Sequence, residues 1–369
     1  MRGEEVAGPR PRAVLHKLER YVPGKPVEEV QALYGLPRVI KMASNENPWG
    51  SSPKALEAAS RELERVAMYP EGSCVELRRA LAARLGVTPD MVTVSNGGDN
   101  VLLMIAQAFL EPGDRVVMGT PTFPVYRTAC LLMGGEPVEV PLREFTHDLE
   151  AMAMAVRPGA RMVVICNPNN PTGTMVGRKE LEAFLGAIPK DVLVVLDEVY
   201  ADFASSKDFP DGVELIRRGR PILSVRSFSK LYGLAGLRVG YGIGSPEIIQ
   251  ALNKVREPFP VNRVAQAAAM AALGDEEFRA RVLRETHRCR VELASALRGM
   301  GLMCLDSHTN FLFVDLGRDS EEVFQALLRR GIVIRPGKIW KTPTWCRITV
   351  GRPEENQELV RALQEILAS

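Results

Sequence analysis

The sequence predicts an α/β protein with two parts: a large domain built on a mostly parallel sheet flanked by helices, and a smaller α+β domain. The chain has 369 residues, of which 46% are hydrophobic, so it is long enough to bury two cores. Apolar β-branched runs alternate with amphipathic helical stretches between about residues 53 and 260, the order expected of βαβ crossovers. After Pro258–Pro260 this rhythm gives way to long helical stretches and short strands.

The predicted elements follow in order along the chain. Residues 1–45 contain YVPGKP and lack the strand rhythm, so we expect an N-terminal arm or a part of the small domain. Residues 46–260 should form the large domain, with strands at MVTVS, DRVVMG, RMVVIC, VLVVLD and PILSVRS and helices such as PKALEAASRELERVA and NVLLMIAQAFL. Residues 261–369 should form the small domain, with helices over 261–273 and 275–298 and strands near FLFVDL, GIVIRP and CRITV.

Composition and charge favour a small-molecule substrate over a polymer. The 47 basic and 45 acidic residues nearly cancel and form no long run of like charge, so we expect neither nucleic acid nor an anionic membrane as a partner. Six scattered cysteines without a CxxC pair suit reduced thiols, and four isolated histidines predict no metal site. MRGEEVAGPRPRAV lacks the apolar region of a signal peptide, and no long apolar window follows, so we expect a soluble cytoplasmic protein.

Two polar loops follow predicted strands, where ligands of parallel sheets bind. Residues 96–100, NGGDN, can offer backbone N–H groups and a helix dipole to an anion, although an ordinary turn with an Asp or Asn cap explains the same residues. In residues 167–173, NPNNPTG, two prolines fix a rigid loop that aims asparagine side chains at a ligand. A plain turn remains the alternative there, because Asn and Pro are common in turns.

The apolar strand VLVVL ends in DEVY at residues 197–200, which also resembles a Walker B element. A nucleotide hydrolase would need GxxxxGK[ST], but the pairs Gly24-Lys25 and Gly337-Lys338 are followed by Pro and Ile. That function is therefore excluded. Asp197 is then either an ordinary capping residue or a partner for a ligand cation.

Lys230 lies in SFSK, directly after a predicted strand. Ser227 and Ser229 precede it, and Arg238 follows the glycine-rich GLAGL. Two hydroxyls and a guanidinium can bind a phosphate and leave the amine free to condense with a carbonyl. A solvated loop lysine would explain Lys230 but none of the neighbouring features.

NPNNPTG, DEVY, SFSK and GLAGLRVGY, in this order and at roughly these spacings, resemble the fold-type-I pyridoxal-phosphate aminotransferases over nearly the whole chain. This resemblance implies a seven-stranded sheet in the large domain and pyridoxal 5'-phosphate as cofactor. YVPGKP, ASNENPWG, MYPEG, TPTFPVY, SHTNF, GIVIRPG and CRITVGRPEEN resemble, more narrowly, the histidinol-phosphate aminotransferases. That branch implies ping-pong transfer of an amino group in histidine biosynthesis, from glutamate to imidazole-acetol phosphate, which forms histidinol phosphate and 2-oxoglutarate.

The resemblance also implies a role for each site residue. Lys230 would form the Schiff base with the cofactor and move the substrate proton, Asp197 would pair with the protonated pyridine nitrogen, and Tyr200 would hydrogen-bond the phenolic oxygen. The further cofactor contacts it implies are Asn170 at the phenolic oxygen, Phe123 on the ring, and Gly98, Asp99, Ser227, Ser229 and Arg238 at the phosphate.

Substrate and partner are likewise implied by the resemblance. Arg347 would receive the glutamate α-carboxylate, and Arg335 and Tyr21 the histidinol phosphate, because guanidinium groups bind such anions in a bidentate manner. Without the resemblance, a surface ion pair would explain either arginine. Tyr69 would reach the phosphate of a neighbouring subunit, which implies a homodimer.

Two features leave alternatives open. Residues 97–100 read Gly-Gly-Asp-Asn where the family more often has Gly-Ser-Asp-Glu, so a phosphate-binding hydroxyl is missing and cofactor affinity is in question. The cofactor contacts would also serve a broad-specificity aromatic amino-acid aminotransferase, or a lyase that decarboxylates a phosphorylated amino acid. A non-catalytic cofactor-binding regulator is a further alternative, although the sequence shows no helix-turn-helix extension or basic arm.

Overall fold

The computed structural model describes residues 9–18, 24–157 and 159–368. The α-helices are α1 (Val27–Tyr34), α2 (Pro53–Glu62), α3 (Val75–Leu85), α4 (Gly98–Phe109), α5 (Val125–Leu132), α6 (Leu149–Val156), α7 (Arg178–Ala187), α8 (Gly212–Arg217), α9 (Pro246–Val255), α10 (Arg263–Leu273), α11 (Glu276–Gly299), α12 (Ser320–Leu328) and α13 (Pro353–Ala368). The strands are β1 (Ile40–Lys41), β2 (Val92–Ser95), β3 (Arg115–Thr120), β4 (Glu136–Pro141), β5 (Ala160–Cys166), β6 (Leu193–Asp197), β7 (Ile222–Ser227), β8 (Gly240–Ile243), β9 (Met303–Cys304), β10 (Phe311–Asp315), β11 (Ile332–Val333), β12 (Arg335–Pro336) and β13 (Trp345–Thr349).

The central element is a seven-stranded sheet with the strand order β2-β8-β7-β6-β5-β3-β4. Strand β8 is antiparallel to both neighbours, and the other pairs are parallel, so the predicted mostly parallel sheet is confirmed. Cys166 at the end of β5 lies opposite Asp197 at the end of β6, which in turn lies opposite Val225 in β7. The carboxyl ends of three neighbouring strands therefore meet at one edge of the sheet.

The central strands are continuous apolar runs because helices cover both faces of the sheet. Every residue of β6 is buried, and several of the helices begin at residues whose side chains satisfy a free N–H group. Ser52 caps α2 by accepting a hydrogen bond from the Ala55 N–H, and Asn262 caps α10 in the same way. In contrast, α4 begins at Gly98 without a side-chain cap, which leaves the donors of its first turn available at the sheet edge.

The C-terminal part contains a smaller antiparallel sheet with the order β12-β13-β10-β9, together with a parallel pair of β1 and β11. The segment GIVIRP therefore forms two short strands in different sheets. A second hydrophobic cluster joins residues of α1 and β1 to residues of α12, β13 and α13. The segment that contains α1 and β1 therefore packs with elements of the C-terminal part.

Helix α11 spans the two hydrophobic clusters. Phe278 and Val282 near its start pack with α10 against the cluster around the large sheet, whereas Leu293 and Leu297 pack into the second cluster. The division of the chain at residues 46 and 261 stays a prediction. None of the helices in the described ranges is sufficiently long and apolar to cross a membrane. The expected cytoplasmic location likewise stays a prediction.

Candidate active site

A cavity of about 250 Å³ opens at the carboxyl edge of the large sheet. It lies where the ends of β5, β6 and β7, the first turn of α4 and strand β13 come together. The residues that line it are Ser44, Asn45, Glu46, Gly98, Asp99, Leu102, Phe123, Cys166, Asn170, Asp197, Val199, Tyr200, Ser227, Ser229, Lys230, Ala235, Arg238 and Arg347. The fold thus gathers residues from most of the predicted site motifs around one space.

Lys230 brings an amine into this cavity from the loop after β7. Its Nζ donates a hydrogen bond to the Ser44 carbonyl over 3.1 Å and lies 5.9 Å from the centre of the Tyr200 ring. Burial, assisted by the positive charge of Arg347, lowers the pKa of Lys230 to about 8. An appreciable fraction of the amine is therefore neutral near pH 8, the form that attacks a carbonyl.

Asp197 supplies a buried carboxylate at the end of β6, where only 4% of the residue is exposed. Its Oδ2 accepts a hydrogen bond from the Tyr126 hydroxyl at 2.5 Å, and its Oδ1 accepts one from the Val199 N–H at 3.1 Å. Burial raises the pKa of Asp197 to about 6, while both hydrogen bonds act in the opposite direction. The group is consequently ionised above neutral pH and can pair with a ligand cation.

Tyr200 and Asn170 line the cavity together with Asp197 and connect the large sheet to other segments. The Asn45 side-chain amide donates to the Tyr200 hydroxyl over 2.9 Å, and burial raises the pKa of that phenol. The Asn170 Oδ1 accepts a hydrogen bond from Nη1 of Arg347 over 2.6 Å. Each polar side chain is thus held in a defined orientation beside the cavity.

The opposite end of the cavity has the groups expected of an anion site. The hydroxyls of Ser227 and Ser229 lie 2.9 Å apart, and Nη2 of Arg238 lies 3.3 Å from a carboxylate oxygen of Asp99. Gly97 has φ +86°, and a Cβ there would lie 2.6 Å from Nη2 of Arg238, so only glycine permits this approach. Together with the uncapped start of α4, these groups suit a phosphate.

Two buried arginines lie next to each other on the small antiparallel sheet. Arg335 in β12 and Phe313 in β10 both lie opposite Arg347 in β13, and directly opposite residues share one face of a sheet. The Arg347 guanidinium lies 5.3 Å from the ring centre of Trp340 and 5.4 Å from that of Phe311. Arg335 does not line the cavity itself, but it lies directly beside Arg347 on this face of the sheet.

The family model for "Aminotransferase class I and II" matches residues 37–363. The chain belongs to this aminotransferase family. It is 47% identical over 361 residues to the histidinol-phosphate aminotransferase of Moorella thermoacetica, covering 98% of this chain and 94% of that protein. The structure of histidinol-phosphate aminotransferase from Sinorhizobium meliloti in complex with pyridoxal-5'-phosphate matches with a TM-score of 0.90 at 30% identity, over 98% of this chain and 99% of that chain. L-threonine-O-3-phosphate decarboxylase from Porphyromonas gingivalis matches with a TM-score of 0.80 at 26% identity, over 90% of this chain and 100% of that chain.

Tyr69, a predicted site residue of this aminotransferase, does not line the cavity. Tyr69 is 77% exposed, and its ring stacks on Phe259 with 4.5 Å between the ring centres. Nη2 of Arg263 donates to the Tyr69 carbonyl over 2.8 Å and anchors the loop. Tyr21 lies outside the residues that the structure describes.

Several residues in or directly behind the cavity wall of the aminotransferase have no role in the sequence-based prediction. Asn45 and Glu46 belong to ASNENPWG, and Tyr126 ends TPTFPVY, so both motifs mark the right segments without indicating what these side chains do. The sequence does not indicate that Cys166 lines the cavity, because a cysteine that ends an apolar strand is ordinarily a core residue. The motif order could have identified Asn45 and Tyr126 as candidates, but their partners are distant in sequence and only the fold reveals them.

Proposed function

We propose that this aminotransferase binds pyridoxal 5'-phosphate in the cavity and transfers an amino group between L-glutamate and imidazole-acetol phosphate. The products are 2-oxoglutarate and L-histidinol phosphate, as in histidine biosynthesis. The observation that carries the proposal is the position of Lys230 and Asp197 on one cavity whose other end has Ser227, Ser229 and Arg238. The relatives named histidinol-phosphate aminotransferase and the Sinorhizobium meliloti complex with pyridoxal-5'-phosphate support it.

The residues of the cavity fit this cofactor. A Cβ on Gly240 would lie 2.3 Å from the backbone nitrogen of Gly98, so glycines bring the phosphate end of the site close to β8. A buried amine, a buried carboxylate and an anion site in a cavity of about 250 Å³ match an aldehyde, a basic ring nitrogen and a phosphate. When bound, pyridoxal phosphate supplies an aldehyde that condenses with amines and a ring that accepts the electron pair released on C–H cleavage.

Each side chain then has a defined task. Lys230 would hold the cofactor covalently and, as a neutral amine, would take up the proton from the substrate carbon; its lowered pKa favours both tasks. The Asp197 carboxylate would hold a proton on the ring nitrogen. Tyr200 and Asn170 would donate hydrogen bonds to the phenolic oxygen, and Phe123 would pack on the ring.

The two arginines of the small sheet are proposed to bind the substrates. Arg347 receives the α-carboxylate of glutamate, since its guanidinium is fixed by Asn170 and by the Ala43 carbonyl, 2.7 Å from Nη2. Arg335, one strand away, receives the phosphate of histidinol phosphate together with Tyr21. A fixed guanidinium loses little freedom on binding, which favours selective recognition of these anions.

A broad-specificity aromatic amino-acid aminotransferase is the second candidate function. It is favoured by the aromatic cluster of Phe313, Trp340 and Trp345, because the Trp340 ring contacts the Arg347 guanidinium. The three rings do not line the cavity, but they make the surroundings of the Arg347 guanidinium apolar, which suits a phenylalanine or tyrosine substrate better than a charged one. The Porphyromonas gingivalis decarboxylase shares the fold, and fold alone does not separate a lyase from a transaminase.

We further propose that the enzyme is a homodimer in which Tyr69 reaches the cofactor phosphate of the partner. Tyr69 and Phe259 form a stacked pair at the surface, and Leu63, Val66 and Met68 nearby are also more than half exposed. Clustered exposed apolar side chains are typical of protein interfaces. Burial of this surface would bring the Tyr69 hydroxyl to a second chain.

The test of the cofactor assignment is the substitution Lys230→Ala. We expect it to remove covalent attachment of pyridoxal phosphate, measured by borohydride reduction and peptide mass, and to abolish turnover with glutamate. Lys190→Ala, at an exposed position, serves as the control and should retain both. Full activity of the Lys230→Ala protein would contradict the proposed role.

A further inference from the structure

Tyr126 is a buried phenol that the proposed mechanism does not use. It lies in the first turn of α5, is 3% exposed and is not among the residues that line the cavity. Its hydroxyl donates to Oδ2 of Asp197 over 2.5 Å, a distance typical of hydrogen bonds to a charged acceptor. Tyr126 therefore meets the cavity through the groups it contacts, and Asp197 is the charged one among them.

We propose that Tyr126 is a positioning residue that orients the Asp197 carboxylate and keeps it ionised for the pyridine nitrogen of the cofactor. This inference rests on the proposed function, since it needs a cationic ring partner for Asp197. The Val199 N–H donates to Oδ1, so Tyr126 and Val199 engage one oxygen each and fix the carboxylate plane. A carboxylate held at both oxygens cannot rotate away from the cavity.

The turn at the start of α5 supplies both a ring beside the cavity and a hydroxyl group to Asp197. Phe123 and Tyr126 lie three residues apart across the start of α5, with their ring centres 5.8 Å apart in an edge-to-face arrangement. Phe123 lines the cavity, whereas Tyr126 packs below it among residues of β3, β5 and β6. The motif TPTFPVY thus contributes a ring to the cofactor face and a hydroxyl to the carboxylate.

The negative charges around Asp197 disfavour its ionised form, so the hydrogen bond from the Tyr126 hydroxyl matters for keeping the carboxylate charged. Asp99 from α4 and Glu198 from its own segment both disfavour the ionised form, as does burial. The other titratable groups that face it are Cys166 at the end of β5 and Tyr200, both of them buried. The O–H donor stabilises the ionised form, so its removal must raise the pKa of Asp197.

The phenol stays a donor over the working range of the enzyme. Burial and the neighbouring Asp197 charge raise the pKa of Tyr126 well above its ordinary value. Its proton therefore remains in place at neutral and moderately alkaline pH. Removal of the hydroxyl should change the acid side of a pH profile and leave the alkaline side unchanged.

The substitution Tyr126→Phe tests the proposal, because it keeps the ring and removes the donor. The affinity for pyridoxal phosphate is measured by absorbance titration from pH 5 to 9. The acid limb of this profile, where affinity falls as the pH is lowered, should lie about one pH unit higher than in the wild type. Well above that limb the affinity should approach the wild-type value. Tyr241→Phe removes another buried hydroxyl, away from Asp197, and its limb should coincide with that of the wild type.

A merely structural hydroxyl would give a different result. Tyr126→Phe would then weaken cofactor binding equally at every pH, or leave it unchanged, and either result overturns the proposal. In an Asp197→Asn background, Tyr126→Phe should cause no further loss of affinity; a full additional loss would also overturn it. Failure of the wild-type protein to bind pyridoxal phosphate at all would instead refute the proposed function.

A folding defect would also decide the matter. If Tyr126→Phe does not fold, the double variant with Asp197→Asn should fold, since no buried charge is then left short of a donor. Recovery of folding in the double variant supports the coupling between the two residues. Loss of folding in both, with Asp197→Asn alone folded, would show that Tyr126 acts elsewhere.

Discussion

The substitution Asp197→Asn should stabilise the cofactor-free protein while it weakens cofactor binding. Burial raises the pKa of Asp197 from 3.8 to about 6, so the folded protein holds this proton more tightly than the unfolded chain does. As the pH rises through this range the unfolded chain loses the proton first, and the stability of the folded state falls. Asparagine has nearly the same shape and no charge to bury.

The size of the destabilisation by the buried Asp197 charge follows from the shift of its pKa. Linkage of a shift from 3.8 to about 6 gives a cost of the buried charge of roughly 2 kcal/mol at pH 5 and roughly 3 kcal/mol at pH 8. Asparagine can still accept from the Val199 N–H and can donate to the Tyr126 oxygen, so most of this energy should be recovered. We expect the gain in the free energy of unfolding of the variant over the wild type to be smaller at pH 5 than at pH 8.

Urea unfolding of the cofactor-free proteins at pH 5 and pH 8, at one protein concentration, measures this difference. Asp191→Asn, in an exposed turn, is the matched control and should change stability at neither pH. With pyridoxal phosphate added, the order should reverse, because the wild type gains binding energy that the variant lacks. A variant that is less stable than the wild type at pH 8, or a gain that does not depend on pH, would refute the reasoning.

Three further predictions concern the substrate and cofactor contacts. Arg335→Ala should raise the KM for histidinol phosphate by roughly 30- to 100-fold and that for phenylalanine far less; equal losses would contradict the phosphate assignment. Trp340→Leu should raise the KM for glutamate several-fold with little change in kcat, because the Arg347 guanidinium loses the ring 5.3 Å away, whereas Trp340→Phe should be close to wild type. Gly98→Ser should tighten cofactor binding by about 2- to 10-fold in equilibrium titrations, since a Cβ there meets only ordinary contacts at 3.6 Å and 3.7 Å. Gly97→Ala, at φ +86°, should weaken it, and the opposite order would show that this loop does not hold the phosphate.

The central part of the fold was predictable because strands that are buried on both faces appear in the sequence as continuous runs of apolar residues. Strands β5 and β6 are continuous apolar runs, and they occur where RMVVIC and VLVVLD predict them. Strand β8, GYGI, and strand β4, EPVEVP, were not among the predicted strands. Glycine and proline are unfavourable in strands, and tertiary pairing with their neighbours overrides that preference here.

In the candidate site, local sequence patterns predicted individual residues but not the contacts between residues that are distant in sequence. Asp197 and Lys230 were identified because each ends or follows a strand, where ligands of parallel sheets bind, and Arg238 because it follows the glycine-rich GLAGL. The hydrogen bond between Tyr126 and Asp197 joins residues 71 positions apart, and no local pattern specifies it. The pairing of Arg335 with Arg347 likewise depends on the register of two short strands.

The most direct test of the proposed function is the half-reaction of the purified protein with pyridoxal phosphate. Stopped-flow absorbance of the bound cofactor is followed after separate addition of L-histidinol phosphate, L-glutamate and L-phenylalanine. We expect fast conversion by histidinol phosphate and glutamate and slow conversion by phenylalanine, because the paired arginines Arg335 and Arg347 select two anionic groups. Conversion by phenylalanine at an equal or greater rate would contradict this account and move the primary activity to aromatic amino acids.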